Sequence, residues 1–363
     1  MLKDNLETNL DLYNYYLPHE NIAQSPVVPR DFSKLMIYNT IEDKIIIDKF
    51  YNLHKYLNKN YFLVFNETKV LPAKVTLFKE TGGKVKALFL LSEKIEDLQK
   101  NKLKEIRGMV DRGLKIGENI YFDLKDKNNY LKVIKQEKNI FTFKIKSKNF
   151  LKLLNRFGEA PLPPYIKNSP LSREKLKEKY QTIFAKKIGS IAAPTASFHF
   201  TPRVLRRLKN KKIKYYFVTL HVGLATFTPL KEEYIKTKKL PPEYWEIDIE
   251  VYEKIKKLKQ EGKKMIAVGT TTTRMLESLV RFKKKRKNNK IYGTTKLFIM
   301  PPFKFKMVDA LITNFHLPRS SLMMLVEAFL NFKNSKKHLK ELYQIAIDKN
   351  FRFYSFGDAM LII

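Results

Sequence analysis

The sequence has no cysteine among its 363 residues. That excludes a disulfide framework, a thiolate nucleophile and a cysteine zinc site, so any chemistry falls to oxygen and nitrogen groups. Glycine is scarce, at 12, which makes each placement informative. No run approaches the roughly 18 to 20 uninterrupted apolar residues that a membrane helix needs, and Met1 to Leu12 mixes Lys, Asp, Glu and Asn where a signal core would be apolar. A chain that is neither membrane-spanning nor exported is expected, in the cytoplasm. Acid is also in short supply: 36 Asp plus Glu stand against 71 Lys plus Arg, a formal charge of +35. Such a field attracts polyanions and speeds their encounter, which points to nucleic acid. Lys far outnumbers Arg, however, and Lys, Asn and Ile are abundant throughout, as AT-rich coding would leave any protein. Charge alone therefore does not choose the partner.

Hydrophobic residues make up 44% and aromatics 13%, enough apolar surface to offset the entropy of folding. The length fits two domains, or one large domain carrying an inserted module. Residues 1–65 read as a mixture of helix and strand, with Asp31 to Ser33 as an element start. From 66 to 150 short β-rich runs alternate with Gly and Lys/Asn turns: Val75 to Phe78, Lys84 to Leu90, Asn119 to Phe122, Leu131 to Ile134 and Ile140 to Ile145. This texture predicts an inserted small antiparallel β-barrel or sandwich. The proline-rich stretch Ala160 to Tyr165 then returns the chain to the main domain, because consecutive prolines oppose both helix and ladder. After residue 180, strand candidates Ile213 to Val222 and Lys264 to Val268 alternate with helix candidates Pro202 to Leu208 and Val251 to Lys259. The fold class expected is an α/β main domain, formed by 1–65 and 151–363, with the barrel at 66–150. Ligands of such sheets gather at the carboxyl ends of strands. The Lys/Asn runs at 282–290 and 332–340 read as solvated surface, and no internal repeat is present.

Three glycines follow strand-like runs and border polar groups: Gly223 after Leu220-His221-Val222, Gly269 before Thr270-Thr271-Thr272-Thr273-Arg274, and Gly357 in Ser355-Phe356-Gly357-Asp358. A strand ending in glycine lets backbone approach a ligand, and neighbouring hydroxyls and amides suit ribose or carboxylate oxygens. An ordinary tight turn is the other reading of each. Of the six histidines, His199, His221 and His316 fall in the segments 193–200, 220–227 and 313–318. Singly each fits a hydrogen-bonded core residue; together they fit a shared proton-handling site.

These stretches, with Tyr15 to Pro18, Ile22 to Pro26, Arg30 to Leu35, Asn66 to Lys74, Pro161 to Ile166, Tyr180 to Thr182, Ala267 to Ser278, Phe298-Ile299, Val308 to Pro318 and Arg352 to Leu361, resemble the S-adenosylmethionine:tRNA ribosyltransferase-isomerase family of queuosine biosynthesis. The resemblance runs through essentially the whole chain in order. It implies an α/β domain interrupted by a β-barrel. It also implies S-adenosylmethionine as co-substrate, no metal, and as partner a tRNA carrying 7-aminomethyl-7-deazaguanine at the wobble position. The reaction implied moves the ribosyl part of the sulfonium nucleoside to the aminomethyl nitrogen and rearranges it to an epoxycyclopentane. Adenine and methionine are released and epoxyqueuosine-tRNA is formed. A monomer is expected.

A sulfonium acidifies the ribose 5′ carbon beside it and makes methionine a good leaving group, whereas adenine wants a proton as it departs. General acid–base help at such steps is worth roughly 10²- to 10⁴-fold each. The catalytic candidates are His199 and His221, with Asp309 or Asp358 as orienting or accepting carboxylates. Arg274 and Glu277, three apart on a helix, would share a face and grip the carboxylate and amine of the methionine part; an internal ion pair is the alternative. Thr195, Thr226, Thr270 and Asn314 suit ribose hydroxyls or the deazaguanine edge, with Gly223 and His316 close by. Arg30 and Asp31 would bind the substrate RNA or pin the N-terminal segment. The chain departs from the family pattern at Lys238 to Glu243, where a His-x-Met-His-x-Glu element is usual and only Glu243 remains. It departs again at Ser197 and Ala225, usually Gly, and at Pro302, where Pro-Gly is usual. A Cβ at a turn needing positive φ costs on the order of 1 kcal/mol. Against this reading stands a basic RNA-binding homologue without catalysis. A methyltransferase is disfavoured because no Gly-x-Gly-x-Gly turn occurs.

Overall fold

In the computed structural model, residues 10–91, 95–223, 230 and 232–363 are described. Their strands are β1 (Lys34–Asn39), β2 (Lys44–Lys49), β3 (Tyr61–Asn66), β4 (Thr68–Val70), β5 (Lys74–Lys79), β6 (Lys84–Leu90), β7 (Glu105–Val110), β8 (Asn119–Tyr121), β9 (Tyr130–Glu137) and β10 (Ile140–Lys146). They continue with β11 (Gly158–Glu159), β12 (Lys187–Ser190), β13 (Lys214–Leu220), β14 (Lys239–Asp248), β15 (Lys264–Val268), β16 (Lys285–Lys287), β17 (Lys290–Leu297), β18 (Ala310–Asn314) and β19 (Ala359–Ile362).

One sheet has ten strands in the order β16-β17-β14-β13-β3-β15-β18-β19-β1-β2. At its centre β13, β3, β15 and β18 run parallel. Both faces of these strands are covered, so β15 and β18 are almost continuously buried and read as apolar runs in sequence. One face carries a core that includes Val64, Val218, Met265, Leu276 and Leu311, and the other a core that includes Phe65, Phe200, Val268 and Ile312. The helix Pro202–Asn210 packs Val204 and Leu208 inward; it starts at Thr201, whose hydroxyl accepts the Val204 amide, and has Pro202 in its first turn.

The second sheet closes on itself: β5-β6-β7-β10-β9-β8 are antiparallel neighbours, β8 pairs back to β5, and β11 adds to β5. Its strands alternate in burial, as in β6, where Val85, Ala87 and Phe89 point inward. This is the barrel expected within an α/β protein. The β7 strand was missed by the sequence reading, since Glu105-Ile106-Arg107-Gly108-Met109-Val110 has a glycine in mid-strand. There Gly108 lies against the Phe89 ring, which a Cβ would approach to 3.1 Å. Pro241 and Pro242 sit within β14 despite the rule against consecutive prolines in a ladder. The pairing with β17 skips from Lys239 to Glu243, and the prolines occupy that irregularity. No helix among the described residues is long and apolar enough to cross a membrane.

Candidate functional site

The parallel strands β15 and β18 end side by side, and the chain at each end lines an open cleft. After β15, Gly269 takes φ +92 and starts the helix Thr270–Leu279, whose first turn brings Thr270 and Thr271 to the cleft. At the end of β18 and just beyond it come Asn314, Phe315 and His316. The lining also includes Thr195, Tyr165, Tyr354 and Ser355. The position is the one expected of a parallel sheet, at the carboxyl ends of its strands. Tyr354 holds φ +70, a left-handed conformation rare for a bulky residue, which stores strain of order 1–3 kcal/mol at the cleft wall.

Asn314 is the hub. Its carbonyl oxygen accepts the Thr195 hydroxyl at 2.9 Å, and its amide donates toward His199 Nε2 at 3.3 Å and toward the Tyr354 and Asp358 carbonyls. An amide donating to Nε2 places the His199 proton on Nδ1, shared with the Ser33 hydroxyl at 2.8 Å. Burial first, then the charges of Arg352 and Arg30, lower His199 to about 3. His316 is lowered to about 3 by burial, and its Nε2 lies 2.8 Å from the Thr313 hydroxyl. Both rings are neutral at pH 7. His316 is further fixed by Tyr343, which receives its amide, and by the Tyr15 hydroxyl on its carbonyl. The Tyr165 hydroxyl meets Ser355 at 2.7 Å, and burial pushes it up to about 12.

Other sequence candidates lie elsewhere. Asp309 precedes β18 and so sits at the end opposite Asn314. There it receives the Met265 amide and the Lys259 ammonium, so it is a strand-end clamp and does not reach the cleft. His221 is outside the cleft lining: its Nδ1 meets Thr68 at 2.8 Å, its ring stacks on Tyr244, and burial lowers it to about 4. Asp358 is buried, holding the amides of Lys34 and Arg352 and the Arg352 guanidinium.

Arg274 and Glu277 do not act together. Arg274 pairs with Glu243, the one residue kept from the altered family element, and Glu243 also accepts the Gly223 amide at 2.8 Å. One Arg274 nitrogen, Nη2, is buried with no acceptor among the described residues. Glu277 instead receives the amides of Lys306, Met307 and Val308 and pairs with Arg281. Asp31 pins the N-terminal segment: burial works against its charge, but Arg203 and Thr201 outweigh it and keep the carboxyl below its ordinary value. Arg30 donates to the carbonyls of Gln181 and Lys179. Thr226 and Ala225 lie outside the described residues. Neither Ser197 nor Pro302 has positive φ, so the strain expected of a missing glycine does not arise at those two positions.

Ser33, Tyr165, Tyr354 and Ser355 were not singled out by sequence reasoning. Tyr165, Tyr354 and Ser355 sit in the very stretches that carry the family resemblance, but their hydroxyls gain meaning only when 165 and 355 meet. No group of three or more His, Asp or Glu residues able to hold a metal occurs among the described residues.

The model of a family described as queuosine biosynthesis protein matches residues 10–362. An S-adenosylmethionine:tRNA ribosyltransferase-isomerase of Thermosipho melanesiensis is 43% identical over 96% of this chain and 98% of its own length. The protein of that name from Carboxydothermus hydrogenoformans is 41% identical over 97% and 98%. The crystal structure of an S-adenosylmethionine tRNA ribosyltransferase from Thermotoga maritima matches with a TM-score of 0.53 and 30% identity, over 97% of this chain and all of that one. With family model, relatives and fold in agreement across the chain, it belongs to the queuosine biosynthesis family of S-adenosylmethionine:tRNA ribosyltransferase-isomerases.

Proposed function

We propose that the chain takes S-adenosylmethionine as a ribosyl donor and a tRNA with 7-aminomethyl-7-deazaguanine at the wobble position as acceptor, forming epoxyqueuosine-tRNA, adenine and methionine. It would act as a cytoplasmic monomer without a metal. The observation that carries this reading is the convergence of Thr195, Asn314 and His199 where β15 and β18 end beside the cleft.

His199, joined to the cleft through Asn314 and not part of its lining, is the base we assign to the acidic 5′ carbon, provided that bound substrate raises it from about 3. It is neutral, its Nδ1 is tied to Ser33, and its Nε2 lone pair is directed by an amide that a substrate can displace. His316 takes the second proton-handling place that the sequence reading gave to His221, because it lines the cleft. Thr195, Thr270 and Asn314 offer hydroxyl and amide groups to the ribose or the deazaguanine edge.

The test is incubation of purified protein with labelled S-adenosylmethionine and suitably modified tRNA. Stoichiometric free adenine and methionine are expected. S-adenosylhomocysteine in their place would mean methyl transfer, and tRNA binding with no adenine at all would mean a non-catalytic homologue.

A further inference from the structure

His199 does not line the cleft but lines a second, shallow pocket open to solvent, which shares Ser355 with the cleft. Arg30 and Arg352 both line it. Arg30 is held by backbone carbonyls of Gln181 and Lys179, and its guanidinium lies 4.7 Å from the centre of the Phe198 ring. Among the described residues no carboxylate is within ion-pair distance of it. Arg352 makes a single contact to Asp358 at 3.1 Å, and that carboxylate is already shared with two backbone amides. Two guanidiniums thus line one pocket beside a neutral imidazole: Arg352 is paired with Asp358, while Arg30 feels the charge of Glu178 without forming an ion pair. Both arginines are already fixed, so an anion entering between them immobilises little further side-chain freedom. The planar fork of a guanidinium matches a phosphate or carboxylate edge.

We propose that Arg30 and Arg352 form an oxyanion site beside the reaction cleft. Resting on the function proposed above, its ligand is either a backbone phosphate of the tRNA flanking the modified nucleotide or the methionyl carboxylate of S-adenosylmethionine. Both present the same charged oxygen edge, and the substrates tell them apart.

The experiment compares the full chain with Arg30→Gln, Arg352→Gln and the charge-conserving Arg352→Lys. Affinity for an anticodon stem-loop RNA is followed by fluorescence anisotropy across a salt series, and KM for each substrate by adenine release. If phosphate is the ligand, each Gln variant weakens RNA binding roughly tenfold or more and lowers the salt slope by about 0.7 to 0.9, with KM for S-adenosylmethionine unchanged. If carboxylate is the ligand, KM for S-adenosylmethionine rises instead and the RNA slope stays. In either case Arg352→Lys recovers part of the loss. For the wild type, inorganic phosphate at matched ionic strength competes with the corresponding substrate, a readout that needs no variant to fold. The site is refuted if phosphate competes with neither substrate, or if all variants keep wild-type constants. Adenine release by the wild type under those conditions leaves the reaction itself standing, so the two readings fail separately.

Discussion

At the scale of single residues, the difference between Asn314 and Asp309 shows how far one strand can separate neighbours in sequence. Five residues of extended chain cover about 16 Å, so the two ends of β18 belong to different environments. One faces the cleft and the other meets Lys259. Sequence reading found Asn314, Thr195 and His199 because rare polar groups stand out in apolar segments. It took Asp309 as well, because nothing local marks which end of a strand faces a ligand. His199→Ala is expected to lower kcat for adenine release by roughly 10²- to 10⁴-fold with little change in tRNA affinity, as single-turnover kinetics and anisotropy will show. Asp309→Asn should leave adenine release within about threefold of wild type. It should cost roughly 1 kcal/mol of stability, read as a lower denaturant midpoint, because the pair it breaks is partly exposed. A large loss of activity with unchanged stability would return Asp309 to the chemistry.

At the scale of elements, the sequence reading started a helix only after the threonine run, whereas that run is the first turn of the helix Thr270–Leu279, and the work of its side chains was not legible. Arg274 and Glu277 share a face as their spacing requires, yet each is claimed by a partner far along the chain: Arg274 by Glu243, and Glu277 by the amides of 306–308. Spacing within a helix fixes which residues are neighbours. It says nothing of what the next layer brings to them. Glu277→Gln replaces a buried carboxylate that serves several donors. It is expected to destabilise the protein by about 2–4 kcal/mol in urea unfolding, while KM for S-adenosylmethionine stays within about twofold. A tenfold rise in that KM with stability intact would restore the substrate-gripping role. The barrel strands other than β7 were legible for the complementary reason: they alternate inward and outward, as β6 does, so a period of two survives in the sequence without knowledge of any partner.

At the scale of the whole molecule, three buried histidines make the fold sensitive to acid. His199, His221 and His316 are held to about 3, 4 and 3, against an unfolded value near 6.5. The unfolded chain therefore binds protons that the native protein refuses. Their contribution is fully present above pH 6.5 and falls as pH drops toward their folded values. The limiting slope is roughly 1.4 kcal/mol per pH unit for each histidine. Denaturant unfolding at pH 7, 6 and 5 should show accelerating loss, and His221→Asn should flatten it by about a third. An unchanged profile would mean that His221 is protonated in the native state.

The order of the ten-stranded sheet has a consequence for how the protein is made. The strands β1 and β2 emerge first during translation, yet they join the rest of the sheet only through β19. The barrel, by contrast, is built from strands that follow one another from Lys74 to Lys146, so it can close while the ribosome is still working. Until residues 359–362 arrive, the hairpin around Leu35, Met36 and Ile37 has no neighbour on that edge. A nascent chain that lacks residues 359–362 therefore leaves the apolar edge of β1 open to pairing with other strands.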